Sequence, residues 1–271
     1  MDIQKRVNEI YNELVNIRRE LHMHPELSEN EYETMNRICS YLDKWGIEYK
    51  KSVADTGVVA IIRGREGGRT VAARADIDAL PVVELNDLAF KSKNEGIMHA
   101  CGHDIHTAIH LGVARLFKEM ENEFQGNVKI FFQPAEETIG GAKRMIEEGV
   151  LKNPDVDYIL SLHVMPSLDV GEIEIKYGKL NAATNEFTIR ITGKSAHAAY
   201  PEQSVDSIVV AGNIIVALQT LVSRNISPLN SVVLTLGKIN GGTKNNVIAG
   251  EVTLSGTLRT LDEDTRNYAK K

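Results

Sequence analysis

Asn127-Val128-Lys129-Ile130-Phe131-Phe132-Gln133-Pro134-Ala135-Glu136-Glu137 runs from a nearly continuous apolar segment into a proline and two adjacent acids. A short apolar run closed by a turn residue predicts a strand buried on both faces, and such a strand needs cover on either side. Working outward, Thr70–Asp76 and Gly57–Arg63 are β-rich runs separated by the turn-forming segment Gly64–Gly68. Val156–Val164 predicts a second buried strand. Helical segments lie between, over about Asp104–Met120 and over Gly140–Gly149. Upstream, Ile3, Val7, Ile10, Leu14, Ile17 and Leu21 put one apolar stripe on a helix from about Asp2 to His22. Ser28 followed by Glu31 predicts a capping box for the next helix, which buries Met35, Ile38, Leu42 and Trp45 and stops at Gly46. Strands alternating with helices predict an α/β layered domain with a largely parallel sheet, assigned to residues 1–178.

The pattern changes near Gly178. Glu186–Ile191 reads as a strand and Val205–Ser223 as a strongly apolar helix. Ser231–Ile239 and Val247–Thr260 are strands joined across Gly241-Gly242, and a polar helix begins near Asp262. That β-α-β-β-α order predicts a compact α+β unit on a four-stranded sheet, assigned to residues 179–271. Its helix carries apolar residues on more faces than one small sheet can cover, which predicts a partner.

A net charge of −6 and a pI near 5.8 favour neither nucleic acid nor an anionic membrane as partner. Cys39 and Cys101 cannot build a disulfide framework and fit a reducing compartment, so a cytoplasmic location is expected. The N-terminus reads as an amphipathic helix and not a signal peptide, and the apolar stretch Ile208–Val222, broken by Asn213 and Gln219, is short for a membrane span.

Four polar groups fall at or near the C-terminal ends of predicted strands: Asp76 with Asp78, the Cys101/His103 loop, Glu136 with Glu137, and His163. In open α/β sheets that edge is where sites form. Taken singly, each has an ordinary reading as a solvated helix start, an incidental Cys-x-His or a core histidine. Together they point to a metal site, and Cys, His and carboxylate donors suit zinc, manganese or cobalt. Asp76 and Asp78 on one face of a strand would also repel each other without a cation. A cysteine nucleophile at Cys101 is a competing reading.

His99-Ala100-Cys101-Gly102-His103-Asp104 with His106, and Gln133-Pro134-Ala135-Glu136-Glu137, resemble the amidohydrolase branch of the M20 metallopeptidases. That branch includes auxin–amino acid conjugate hydrolases, hippurate hydrolases and N-acetyldiaminopimelate deacetylases. The likeness extends over Arg18-Arg19 with His22, Arg74 to Pro81, Leu162-His163-Val164, Gly193-Lys194 with His197-Ala198-Ala199, Ser223-Arg224, and Gly256-Thr257 with Arg259. It implies a layered metallopeptidase catalytic domain with an inserted, ferredoxin-like lid that dimerises, acting on an N-acyl amino acid.

By the same resemblance, Cys101, His103, Glu137 and His163 are metal ligands for a two-ion site. Glu136 is the general base toward a metal-activated water, with the roles of Glu136 and Glu137 exchangeable because they are adjacent. Asp76 and Asp78 support the metal shell, and His197 of the lid polarises the scissile carbonyl in the partner subunit's site. Asn246 and Arg259 are candidate contacts for the substrate carboxylate. His22, His106 and His110 receive no role, although His106 and His110, four apart on a helix, raise a second metal site as an alternative to a structural role. The segment Gly193 to Pro201 is similar to the N-acetyldiaminopimelate deacetylases, which makes that substrate the first expectation. Family members continue beyond the lid and supply a further ligand histidine, so a C-terminally truncated catalytic domain is implied. The alternative is then a remnant that binds metal or dimerises without turnover.

Overall fold

The computed structural model describes residues 2–138 and 140–271. The chain divides into two compact units, Met1–Asp169 and Val170–Lys271, so the boundary expected after residue 178 lies inside the second.

In the first unit the order is α1 (Ile3–Met23), α2 (Tyr32–Lys44), β1 (Glu48–Val53), β2 (Gly57–Arg63), β3 (Arg65–Asp76), α3 (His103–Glu119), β4 (Gln125–Gln133), α4 (Gly141–Glu147) and β5 (Tyr158–Ser161). These strands form one sheet in the order β1-β2-β4-β3-β5. β4 pairs with β3 in parallel and β3 with β5 in parallel, whereas β1–β2 and β2–β4 are antiparallel. The sheet is therefore mixed, not largely parallel. Val53 and Gly57 face each other across a tight turn, and a link that short permits an antiparallel hairpin but no crossover.

β4 is the central strand and is buried on both faces. Val128, Ile130 and Phe132 point to one face with Ile17, Leu21, Ile38, Leu42 and Leu111 from α1, α2 and α3. Phe131 points to the other with Ala72, Met145 and Val150, as the two-residue repeat of a strand requires. Lys129 shares that second face, and its ammonium donates to the carbonyls of Val150, Lys152 and Pro154 at 2.7–3.0 Å.

The second buried strand shortens to four residues and is exposed: β5 has a neighbour in β3 only among the described residues, leaving Tyr158, Ile159 and Leu160 each more than half accessible. The capping box does not form. Glu31 is the N-cap of α2 without a side-chain cap bond, and Glu26 accepts from the amides of Glu33 and Thr34 instead, at 3.2 and 2.7 Å. Ser28 and Glu31 are drawn to partners that local spacing does not register.

The second unit contains β6 (Ala183–Thr192), β7 (Ala196–His197), α5 (Ser207–Thr220), β8 (Val232–Gly241), β9 (Val247–Ile248), β10 (Glu251–Thr260) and α6 (Glu263–Ala269). The expected four-stranded sheet is three-stranded, β6-β10-β8, because the 247–260 segment breaks at Ala249-Gly250 and its first part pairs with β7. Asp206 caps α5 by accepting from the amides of Ile208 and Val209. Ala211, Ile214 and Ile215 of α5 pack on Ile191, Val252 and Leu254. The opposite side of α5 is bare, with Val209 at 60% and Val216 at 71% exposure. With the π-helical turn Leu221–Asn225 the helix reaches 19 residues at mean hydropathy 1.5, long and apolar enough by length and composition alone to cross a membrane.

Candidate metal centre

β3, β4 and β5 end at the same edge because they are parallel and in register, with Asp76 opposite Gln133 and Arg74 opposite Ser161. Each strand delivers its polar group at or just past its last residue, the position where open α/β sheets place sites. The fourth component arrives on α3, which begins at His103 after Gly102 in a left-handed conformation (φ 83°). A Cβ on Gly102 would meet Val164 Cγ2 at 2.4 Å, so this turn requires glycine twice over.

The three histidines at this edge have distinct partners. His103 Nδ1 lies 2.8 Å from the carbonyl of Asp78 and 3.2 Å from Asp78 Oδ1, so Nδ1 carries the proton and Nε2 presents its lone pair. His163 Nδ1 donates to the carbonyl of Val164 at 2.7 Å, leaving Nε2 at 3.4 Å from Cys101 Sγ. His106 Nε2 accepts the amide of Val164 at 3.0 Å, and its Nδ1 donates to Asp76 Oδ1 at 2.6 Å.

Both nitrogens of His106 are therefore occupied. Although Asp76, His103 and His106 bring donor atoms within 4.8 Å of one another, that trio does not offer a free imidazole from each histidine. His110 Nδ1 donates to the carbonyl of His106, and its neighbour one turn back, His106, has no nitrogen left to share a cation with it. The second metal site at His106 and His110 is not supported, and His106 instead fixes the main chain beside His163.

Two other groups of donors converge within 4.8 Å: Cys101 with His103 and His163, and His103 with Glu136 and Glu137. His103 Nε2 and Glu137 Oε1 are buried, lie 3.7 Å apart, and find no hydrogen-bond partner among the described residues. Unsatisfied buried polar atoms are costly unless an ion or water answers them. The donor set fits a divalent cation: each of His103 and His163 has its other nitrogen anchored to a carbonyl, the arrangement that orients a metal-binding imidazole.

Electrostatics point the same way. Burial, reinforced by Glu137, Glu136 and Asp76, pushes the Cys101 thiol up to about 12. A thiol held protonated at neutral pH is a poor nucleophile, so the cysteine-nucleophile reading loses its basis. Burial opposes charging His103, but Asp78, Asp76 and Glu137 outweigh it and raise its pKa. Glu136 is raised by burial, then by Glu137 and Asp76. Asp76 behaves otherwise: burial alone would raise it, yet His106, His103 and Arg74 bring it down to about 2. The repulsion expected between Asp76 and Asp78 is thus already answered by protein groups. Arg74 pairs with Asp76 at 2.8 Å, and Asp78 accepts from Ser28 at 2.7 Å and from the Glu137 amide at 3.0 Å.

Sequence reasoning left His22 without a role. It bridges Asp104 at 2.7 Å and Glu84 at 3.2 Å, and Arg18 pairs with Asp104 at 2.8 Å, tying the first turn of α3 to α1. These partners lie 62 to 86 residues apart in the sequence (84−22 and 104−18), beyond any local pattern. In the second unit His197 is exposed, accepts the Ala199 amide at 3.1 Å, and sits beside Asn246, whose carbonyl accepts the Ala198 amide at 3.0 Å. Arg259 lies near the other end of β10 from that loop, opposite Thr184 and Val233.

Residues 72–255 match the profile of peptidase family M20/M25/M40. The chain is 48% identical over 259 residues to the N-acetyl-L-cysteine deacetylase of Bacillus subtilis, covering 96% of this chain and 62% of that protein. It is 41% identical to the N-acyl-L-amino acid amidohydrolase of Geobacillus stearothermophilus, covering 98% and 71%. The crystal structure of Bacillus subtilis YXEP protein, a dinuclear metal-binding peptidase, superposes with a TM-score of 0.79 at 40% identity over 96% of this chain and 67% of that one. The chain thus spans a little under two thirds of the first of these relatives. Sequence profile, curated relatives and the layered α/β architecture agree, and the chain belongs to peptidase family M20/M25/M40.

Proposed function

We propose that this chain carries the metal-binding site of an amidohydrolase that cleaves N-acyl amino acids. The observation that carries the reading is the pair of buried, unpartnered atoms His103 Nε2 and Glu137 Oε1, 3.7 Å apart, with Cys101, His163 and Glu136 converging beside them. Cys101, His103, Glu137 and His163 would hold the cation, two per site in the whole protein. A soft thiolate with imidazoles suits zinc or cobalt and the carboxylates suit manganese. When bound, such an ion polarises an amide carbonyl and lowers the pKa of water.

Glu136 does the proton work. It is the more exposed of the two acids and its pKa is raised, which suits a group that removes a proton from attacking water and returns it to the leaving nitrogen. Asp78 holds His103, and Asp76, through His106, holds the main chain next to His163. His197, in the loop that Asn246 braces through the Ala198 amide, is the proposed lid group that polarises the carbonyl, and Asn246 beside it is the proposed contact for the substrate carboxylate; Arg259, near the opposite end of β10, does not share that position. N-acetyl-L-cysteine and N-acetyldiaminopimelate head the substrates to try, since relatives carry those activities in their names. The free cysteines Cys39 and Cys101 favour the cytoplasm. The test is turnover of an N-acyl amino acid panel before and after chelation. Activity should vanish with chelator and return with manganese, zinc or cobalt; turnover indifferent to chelator sinks the reading.

The 179–271 region is proposed as the lid and dimerisation domain. The bare side of α5, with Val209 and Val216, is the proposed contact. Burying each valine contributes about 1.5–3 kcal/mol, so Val209→Glu with Val216→Glu should raise the dimer dissociation constant at least about a hundredfold. Light scattering reads this directly, and a parent chain that is monomeric at high concentration counts against the interface.

A further inference from the structure

The two side chains that sequence spacing assigns to helix capping turn away from the helix and toward the metal centre. Ser28 Oγ donates to Asp78 Oδ2 at 2.7 Å. Glu31 is fully buried; its Oε1 accepts the amide of Ala135 at 2.8 Å and its Oε2 accepts the hydroxyl of Thr56 at 2.6 Å. Burying a carboxylate is unfavourable unless hydrogen bonds compensate it, so a specific demand must exist at Ala135.

That demand is conformational. Ala135 is buried at 1% exposure and has φ 51°, in the left-handed region that a side chain with a Cβ rarely adopts. Its peptide groups are gripped on both sides, by Glu31 at the N–H and by the amides of Gly140 and Gly141 at the carbonyl, at 3.0 and 3.1 Å. Two residues on, the Glu137 amide donates to Asp78 Oδ2 at 3.0 Å. Glu136 thus lies between one residue clamped by Glu31 and another clamped by Asp78. Both acids leave the main chain from this turn, and their carboxylates reach His103 from it.

We propose that Glu31 is a positioning residue for Glu136 and Glu137, its buried carboxylate holding Ala135 in the left-handed turn that presents both acids to the Cys101–His103–His163 cluster. What the two acids then do rests on the metal-centre reading; the clamp itself does not.

The experiment compares the full chain with Glu31→Ala and Glu31→Gln by hydrogen exchange at the Ala135 and Glu137 amides and by calorimetric titration with Mn2+. Gln keeps an oxygen for the Ala135 amide and an NH2 for the Thr56 hydroxyl, so it should restore what Ala loses. In Glu31→Ala, exchange at Ala135 should speed up at least about tenfold and Mn2+ affinity should fall about tenfold, with Gln within about threefold of the parent on both. Parent-like exchange at Ala135 in Glu31→Ala overturns the proposal, and so does equal damage in the Ala and Gln variants. Should Glu31→Ala not fold, Thr56→Val removes the hydroxyl that orients Glu31. Faster exchange and weaker Mn2+ binding there support the clamp, and unchanged values overturn it. A parent chain that binds none of Mn2+, Zn2+ or Co2+ defeats the metal-centre reading, while exchange at Ala135 still decides the clamp.

Discussion

Glu136→Gln is expected to lower turnover by about 10²–10⁴ while leaving metal content at the parent value, in a form of the protein that hydrolyses N-acyl amino acids. The change removes a proton acceptor and keeps shape, hydrogen-bonding capacity and the neighbouring Glu137. Glu136 is solvent-exposed at its outer side, and desolvation by its surroundings, then Glu137 and Asp76, raises its carboxyl above the ordinary glutamate range, the direction that suits proton transfer. Glu137 differs: its Oε1 is buried, unpartnered and 3.7 Å from His103 Nε2, which is ligand-like placement. Elemental analysis beside steady-state kinetics separates the roles. A Gln variant that loses metal would exchange them, making Glu136 the ligand and Glu137 the base.

Cys101→Ala should weaken metal binding at least about a hundredfold, more than the 10–100-fold typical of losing an outer partner. The pH dependence has a definite sign. Without a cation the thiol sits at about 12 and His103 is raised above its usual range, so both are protonated at low pH and must give up protons when a metal binds. Affinity in the parent should rise with pH throughout the range from acid to weakly basic. Removing Cys101 deletes one released proton, so the slope of log affinity against pH should fall by about one in the region where the thiol is still protonated. Titration calorimetry in buffers of different ionisation enthalpy measures the proton count directly. Identical metal affinity and identical proton release in parent and variant would remove Cys101 from the ligand set.

Much of this organisation is legible in local sequence. The apolar stripe of α1, the continuous burial of β4 and the placement of Asp76, His103, Glu136, Glu137 and His163 at one sheet edge follow from periodicity and strand ends. Periodicity reports which way a side chain faces relative to its own element. It does not report what lies opposite. Val156–Val164 reads as a buried strand because its residues are apolar, yet burial needs a neighbour on each side, and β5 has β3 on one. The 247–260 run reads as one strand, but its first residues pair with β7 and the chain turns before β10 begins. Asp76 and Asp78 read as a repulsive pair because like charges two apart are visible, whereas Arg74 Nη1, His106 and Ser28 as their partners are not.

The order of residues along the chain sets the chemistry available to this protein: one thiol, imidazoles and carboxylates at the ends of parallel strands, and a second unit with more apolar helix than its sheet can cover. How each group is used comes from packing. It consumed both nitrogens of His106 in positioning, left Nε2 of His103 and of His163 toward the donor cluster, and drew Ser28 and Glu31 off a helix end to brace Asp78 and Ala135. The reason is physical. Helix and strand preferences arise from neighbours a few residues apart, but a buried donor or acceptor must find its partner wherever packing puts one, and here Glu31 finds Ala135 at a separation of 104 residues.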